Sequence, residues 1–113
     1  MERKRFPYRP IVYIANKFSG DVEENTRKAR YYSRVAVEMG YIPLTPHLLF
    51  PQFLDEEEER DLAAFMDLVL LTKCVELWVC GEISPGMTCE IERARRRKMN
   101  IRYFNEDMEE IKG

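Results

Sequence analysis

Two acidic residues stand where their neighbours make a carboxylate costly. Asp67 is the only charged residue in Leu62-Ala-Ala-Phe-Met-Asp-Leu-Val-Leu-Leu-Thr72. A lone carboxylate in an apolar run either faces a wet cleft or is paired; the alternative is a narrow solvent stripe on the helix. Glu90 closes the run Ser84-Pro-Gly-Met-Thr-Cys-Glu90. At about 100° per residue, Ile91 and Ala94 fall within about 40° of Met87, and Glu90 within about 60° on the other side. Glu90 therefore sits at the edge of a buried helix face, as a cleft residue or as a rim glutamate paired with Arg93. Two carboxylates at one cleft suit glycosidic chemistry. One attacks the anomeric carbon or stabilises positive charge there, and the other moves a proton to or from the leaving group.

Other residues surround this pair in type if not in sequence. Ser84-Pro85-Gly86 reads as a helix opening with a hydroxyl and exposed N–H groups, either an ordinary cap or an anion site. Asn16 to Asp21 forms the first strand-to-helix turn and is able to line a phosphate, without being a GxGxxG fingerprint. His47 is the only histidine and lies on a loop after a strand, as a structural residue or a ligand contact. HExxH, GxSxG and P-loop patterns are missing from the sequence. The three cysteines, Cys74, Cys80 and Cys89, match no CxxC metal spacing and read as reduced thiols in a cytoplasmic protein. Neither a metal nor a cofactor is expected.

The elements that must position these residues follow from pattern. Ile11-Val-Tyr-Ile-Ala15 is a short buried strand. Asp21 with Glu24 reads as a capping box, and Asn25, Ala29, Tyr32, Ala36 and Met39 mark one face of the helix that Gly40 ends. Tyr41–Thr45, Glu76–Gly81 and Ile101–Phe104 are further strands. Leu62–Thr72 and a run from Pro85 to about Lys98 are helices, and residues 106–112 suggest a short last one. Pro46–Leu54 is an unusually apolar loop and should cover something. Alternating strands and helices imply an α/β domain: a flavodoxin-like three-layer α/β/α sandwich on a four-stranded parallel sheet of order 2-1-3-4. Ligands then bind at the carboxyl ends of strands 1 and 3, with Pro46–Leu54 as a lid.

Length and composition agree with one such domain. The 113 residues are 45% hydrophobic, and residues 11–113 form the domain behind a basic arm at 1–10. A net charge of −2 makes nucleic acid an unlikely partner. The sequence has neither an apolar run of the ~20 residues a membrane span needs nor an apolar leader segment.

Taken together, Val12-Tyr-Ile-Ala15 leading to Phe18-Ser-Gly20, Gly40-Tyr-Ile-Pro43 with Pro46-His47, Asp67 before Glu76-Leu-Trp-Val79, and Ser84-Pro-Gly-Met-Thr-Cys-Glu90 with Ala94 resemble the nucleoside 2-deoxyribosyltransferase superfamily. The resemblance runs from about residue 11 to 104, and the segment ending in Glu90 is its most specific part. It implies that Glu90 is the nucleophile and that Asp67 handles the proton of the base. Ser84 stands where the transferases usually carry aspartate, and is similar to the 2′-deoxynucleoside 5′-monophosphate N-hydrolases. The first loop departs from those hydrolases, lacking their glycine- and arginine-rich phosphate loop, and Glu76 stands where aspartate is common. The chain looks most like a small bacterial and phage branch of the superfamily.

The resulting expectation is cleavage or transfer of an N-glycosidic bond on a nucleoside or nucleoside 5′-monophosphate. Ser84, Gly86 and the loop Asn16, Phe18, Ser19 and Gly20 would hold the 5′ end. His47 and Phe50 would touch base or sugar, and Tyr13 joins the substrate-binding set. With Ser84 in place of a carboxylate, and with free N–H groups at Gly86 and Met87, monophosphates should bind more tightly than nucleosides; Lys17 is the one cation in the first loop. The alternative is a non-catalytic nucleotide- or nucleotide-sugar-binding module. The apolar helix Leu62–Thr72 and the resemblance both suggest a homodimer or higher homo-oligomer.

Overall fold

The structure, a computed structural model, describes residues 3–113. Its strands are β1 (Ile11–Ala15), β2 (Ile42–Leu44), β3 (Glu76–Cys80), β4 (Asn100–Phe104) and β5 (Glu110–Ile111), and its α-helices are α1 (Val22–Glu38), α2 (Arg60–Leu71) and α3 (Thr88–Arg96). The sheet runs β2-β1-β3-β4-β5. The first four strands are parallel, in the expected order.

The fifth strand corrects the sequence reading: the sheet is mixed, because β5 pairs antiparallel with β4. It forms where a last helix was expected. Asn105 prevents that helix by capping a turn, its Oδ1 accepting from the N–H groups of Asp107 and Glu109. Met108 takes a left-handed φ of 62° within the turn. Glu110 is then carried back onto Arg102, whose guanidinium donates to it twice.

Side chains that alternate along β1 and β3 build two cores, one on each face of the sheet. Val12, Ile14, Trp78 and Cys80 join Tyr32 and Ala36 of α1 and Phe104 of β4. Tyr13, Ala15, Leu77 and Val79 face the other way and join Leu71 of α2 with Met87, Ile91 and Ala94. The sheet is thus a middle layer, with α1 on one face and α2 and α3 on the other.

The ends of α1 follow the cap chemistry that the sequence spells out. Asp21 accepts from the Glu24 N–H, while the Glu24 carboxylate turns to Arg27 instead of closing the box. Gly40, at φ 95°, ends the helix, and the N–H groups of Gly40 and Tyr41 return to the carbonyls of Val37 and Ala36. Met39, counted with the buried face, is exposed, because the helix has ended at Glu38. Arg9 fastens the described part of the basic arm by donating to the Val37 and Tyr41 carbonyls; Met1 and Glu2 lie outside the described residues. The run from Pro85 is not one helix to Lys98. A single 3-10 turn (Pro85–Met87) precedes α3, and Lys98 has left the helix at φ 56°. Among the described residues no helix is long and apolar enough to cross a membrane.

Candidate functional site

The carboxyl ends of β1 and β3 open onto a cavity of about 300 Å³. Three stretches enclose it. The first is the loop after β1, with Asn16, Phe18 and Ser19. The second is the apolar segment after β2, folded as two 3-10 turns (Pro46–Leu48 and Phe50–Gln52), which supplies Pro46, His47, Phe50, Pro51 and Leu54. The third is the start of the segment after β3, with Ser84, Gly86, Met87 and Glu90. Asp55 and Glu56 add two acids to the lining, and the remaining wall is one stripe of α2: Arg60, Ala63, Ala64 and Asp67. These residues recur at i, i+3, i+4 and i+7, so they share a helix face. The two alanines leave a flat surface between Arg60 and Asp67, whose backbone positions are about 10 Å apart along the axis.

The loop after β1 owes its shape to α1. Asn25 donates from its amide to the carbonyls of Phe18 and Ser19, each at 3.1 Å. Asn16 donates in return to the carbonyls of Asn25 at 3.2 Å and Lys17 at 3.1 Å. Both asparagines are buried. His47 packs its ring on Phe18, centroids 4.9 Å apart, and its Nδ1 has no hydrogen-bond partner among the described residues. Burial lowers its pKa to about 4, so the ring is neutral at physiological pH.

Glu90 lies in the first turn of α3 and is 8% exposed. Burial pushes its carboxyl up to about 7; a hydrogen bond with the Tyr13 side chain partly offsets that, and the charge of Asp67 adds to it. Asp67 is likewise raised to about 7 by burial. Its Oδ1 has no hydrogen-bond partner among the described residues. The two acids titrate as neighbours, so near neutrality the pair holds about one proton. The hydrogen bond from Tyr13 and the N-terminal end of α3 both favour charge on Glu90. One carboxylate and one carboxylic acid in a single cavity are the equipment for displacing a leaving group while protonating it.

Of the residues singled out in the sequence, Asn16, Phe18, Ser19, His47, Phe50, Asp67, Ser84, Gly86 and Glu90 all line this cavity. Two do not. Tyr13 is buried in the core beneath it and reaches the site through Glu90. Gly20 turns the chain away at φ 98°. Gly86 is different: a Cβ there would meet only Ser84 Oγ, at 3.9 Å, so the hydrogen in place of a side chain leaves room for a ligand rather than for the protein. The Met87 N–H, expected to be free, donates to the Ser84 carbonyl at 3.0 Å. Lys17 points elsewhere, 3.8 Å from Glu82 beside a smaller polar pocket.

Among the contributors not read from the sequence are Asp55 and Glu56 of the lining, and two others matter most to the site's shape and charge. Arg60 supplies the cavity's one guanidinium, and counting back from Asp67 at helical spacing would have found it. Asn25 was assigned to the core face of α1, and its role as a clamp depends on the path of a loop that periodicity does not describe. The second pocket, lined by Lys17, Lys28, Tyr32, Glu82 and Glu106, is closed across by the Lys17–Glu82 and Lys28–Glu106 ion pairs. Among the described residues no cluster of His, Cys, Asp or Glu is arranged to hold a metal ion.

No curated protein matches the chain. A family match does cover residues 10–104, which hold both carboxyls, the lid and every cavity-lining residue, and the chain accordingly belongs to the family described as a domain of unknown function, DUF7768.

Proposed function

We propose that this domain cleaves or transfers the N-glycosidic bond of a nucleoside or nucleoside 5′-monophosphate. One observation carries the reading: Glu90 and Asp67 share one cavity, with burial raising both to about 7. Glu90 attacks C1′ and forms a glycosyl ester as the bond to the base breaks. Asp67 gives its proton to the departing base. Water, or a second base, then takes the sugar from Glu90 and returns a proton to Asp67. Phe50, His47 and the Ala63–Ala64 wall form the apolar surface for the base. Ser84, Gly86 and Ser19 meet the 5′ end. Arg60, which shares the lining with Asp55 and Glu56, is the cation there that can neutralise a 5′-phosphate, the role expected of Lys17.

The test is incubation with a panel of nucleosides and their 5′-monophosphates and chromatography for free base. Release of base that Glu90→Gln abolishes supports the reading. Binding without release leaves the non-catalytic nucleotide-binding module, and neither binding nor release overturns both.

The proposal extends to assembly. Leu62, Phe65 and Val69 form an exposed apolar stripe on α2, with Phe53 and Leu49 of the lid also exposed. A second copy of the chain is the occupant proposed for it. A light-scattering mass near 13.5 kDa at micromolar protein counts against that. Three free thiols suit the reducing cytoplasm, the location that goes with this chemistry.

A further inference from the structure

Two exposed sets of charge in this chain have opposite signs and stand at opposite ends of the sheet. The first is the basic arm. Arg3, Lys4 and Arg5 are exposed, and so are the aromatics that follow them, Phe6 at 76% and Tyr8 at 83%. These residues have no regular secondary structure, and Arg9 fastens their base to the carbonyls of Val37 and Tyr41. The second set lies at the carboxyl end of the strands. Glu56, Glu57 and Glu58 precede α2, Asp61 stands in its first turn, and all four are exposed. None of these acids and none of the three arm cations has an ion pair among the described residues. Beyond the acids, Leu62, Phe65 and Val69 make the exposed apolar stripe of α2. Each set therefore presents charge first and apolar surface next. Their lengths agree too: Arg3 and Tyr8 are about 17 Å apart in an extended arm, and Glu59 and Val69 about 15 Å apart along α2. The arm cannot reach those acids in its own chain. Arg9 holds it beside the C-terminal end of α1, on the opposite face of the sheet from α2. The six residues from Arg9 back to Arg3 extend at most about 22 Å. The length of β1, about 17 Å, uses most of that before the arm could begin to pass around the β2 edge.

We propose that the arm of a second copy lies along α2, with its three cations on the acids at the helix start and Phe6 and Tyr8 on Leu62, Phe65 and Val69. This rests on the second copy proposed above for that stripe, and it names the segment of the copy that fills it. The contact also bears on the site. Glu56 lines the cavity beside Asp55 and Arg60, so the neighbour's cations arrive at the mouth. Arg60 is the one cation that the protomer's own lining sets against Asp55, Glu56, Asp67 and Glu90, and the neighbour's arm adds to it.

Swapping the charges tests it. One variant combines Arg3→Glu, Lys4→Glu and Arg5→Glu; the other combines Glu57→Lys, Glu58→Lys and Asp61→Lys. Glu57 and Glu58 enter the turn before α2 through their backbone N–H groups, so circular dichroism should find both variants folded. Arg5→Glu and Glu58→Lys alone serve where a triple variant does not fold. Sedimentation velocity over a concentration series reads the mass. The wild-type chain should exceed 13.5 kDa at micromolar protein. Each variant alone sets like charges against each other, and its dissociation constant should rise at least about tenfold. A one-to-one mixture makes both contacts complementary again and should assemble as the wild type does. Wild-type assembly that neither variant weakens would overturn this inference and leave a second copy on the stripe. Variants that dissociate and do not assemble on mixing would overturn it as well, because the arm would then meet some other surface. A wild-type mass near 13.5 kDa overturns this inference and the second copy together. The N-glycosidic reading is decided separately, by release of free base.

Discussion

Two groups of acids in this domain are treated in opposite ways. On the α1 face of the sheet, Glu76 accepts from the Trp78 indole at 2.9 Å and from Asn100 at 2.7 Å. Arg102 lies between Glu76 and Glu110, stacks over Trp78 and Phe104 at 5.0 and 5.2 Å, and donates to the Tyr41 hydroxyl. Every charge there has a partner, and the Arg102 pair holds the Glu110 carboxyl below its ordinary range. At the ends of β1 and β3, Asp67 and Glu90 have no cation within salt-bridge distance among the described residues, and both are pushed up. The first cluster ties β5 to the sheet and stabilises the fold. The second costs stability, which makes it the group to question about function.

Removing the carboxylate of the unpaired group should have the largest effect on chemistry. Where turnover is detected, Glu90→Gln should lower it on the order of 10³-fold or more, because an amide cannot act as the nucleophile. A single-turnover assay that finds ordinary rates would end the division of labour between the clusters. Next in size is the damage to the paired group. Arg102→Met should destabilise the domain by about 1–3 kcal/mol, since it takes the cation from Glu76, Glu110 and two rings while Glu76 keeps its bonds to Trp78 and Asn100; urea denaturation measures it.

The same Glu90→Gln substitution should stabilise the fold, with a pH dependence of known sign. A carboxyl whose folded pKa is about 7 binds more protons folded than unfolded between pH about 4.5 and 7, so wild-type stability falls as pH rises through that window. The variant should be more stable by on the order of 1–3 kcal/mol at pH 8 and no more stable at pH 4. A gain that persists at pH 4 would mean that burial of charge is not its cause. Asn25→Ala should cost about 1–2 kcal/mol by freeing two carbonyl partners and should weaken ligand binding through the loop after β1. The smallest effect belongs to an exposed pair: Arg34→Ala, opposite Glu38, should change stability by less than about 0.5 kcal/mol.

The strands, their order and the caps of α1 are legible in the sequence because each depends on local pattern. Four of the five strands, Asp21 as cap and Gly40 as terminator all rest on neighbours within a few residues. That Asp67 and Glu90 line one cavity agrees with a lone charge in an apolar helix, one helical phase at Glu90 and the rule for open sheets. What escaped depends on contacts at longer range or on side chains bonding to main chain. Residues 106–112 carry enough helix-forming acids to suggest a helix, and only the Asn105 cap with the Arg102–Glu110 pair turns them into a strand. Arg60 was passed over because the acidic run 55–59 hid where α2 begins; Asp55 caps that run by accepting from Glu57 and Glu58. The Met87 N–H was counted as free because a 3-10 turn, with its tighter i to i+3 bonding, is not distinguishable from an α-helix start in Ser-Pro-Gly.

The grip of Asn25 on the loop after β1 has a consequence for how this domain can change over generations. It holds the carbonyl oxygens of Phe18 and Ser19, atoms that every amino acid supplies. The path of the loop is therefore set from α1 and does not depend on which side chains the loop displays. Replacements at 18 and 19 can alter the lining of the cavity while the backbone stays where it is, so new ligand preferences are reachable by single substitutions that leave folding intact. A loop held by its own side chains would lose its shape with each such change. Here, shape and chemistry are inherited separately.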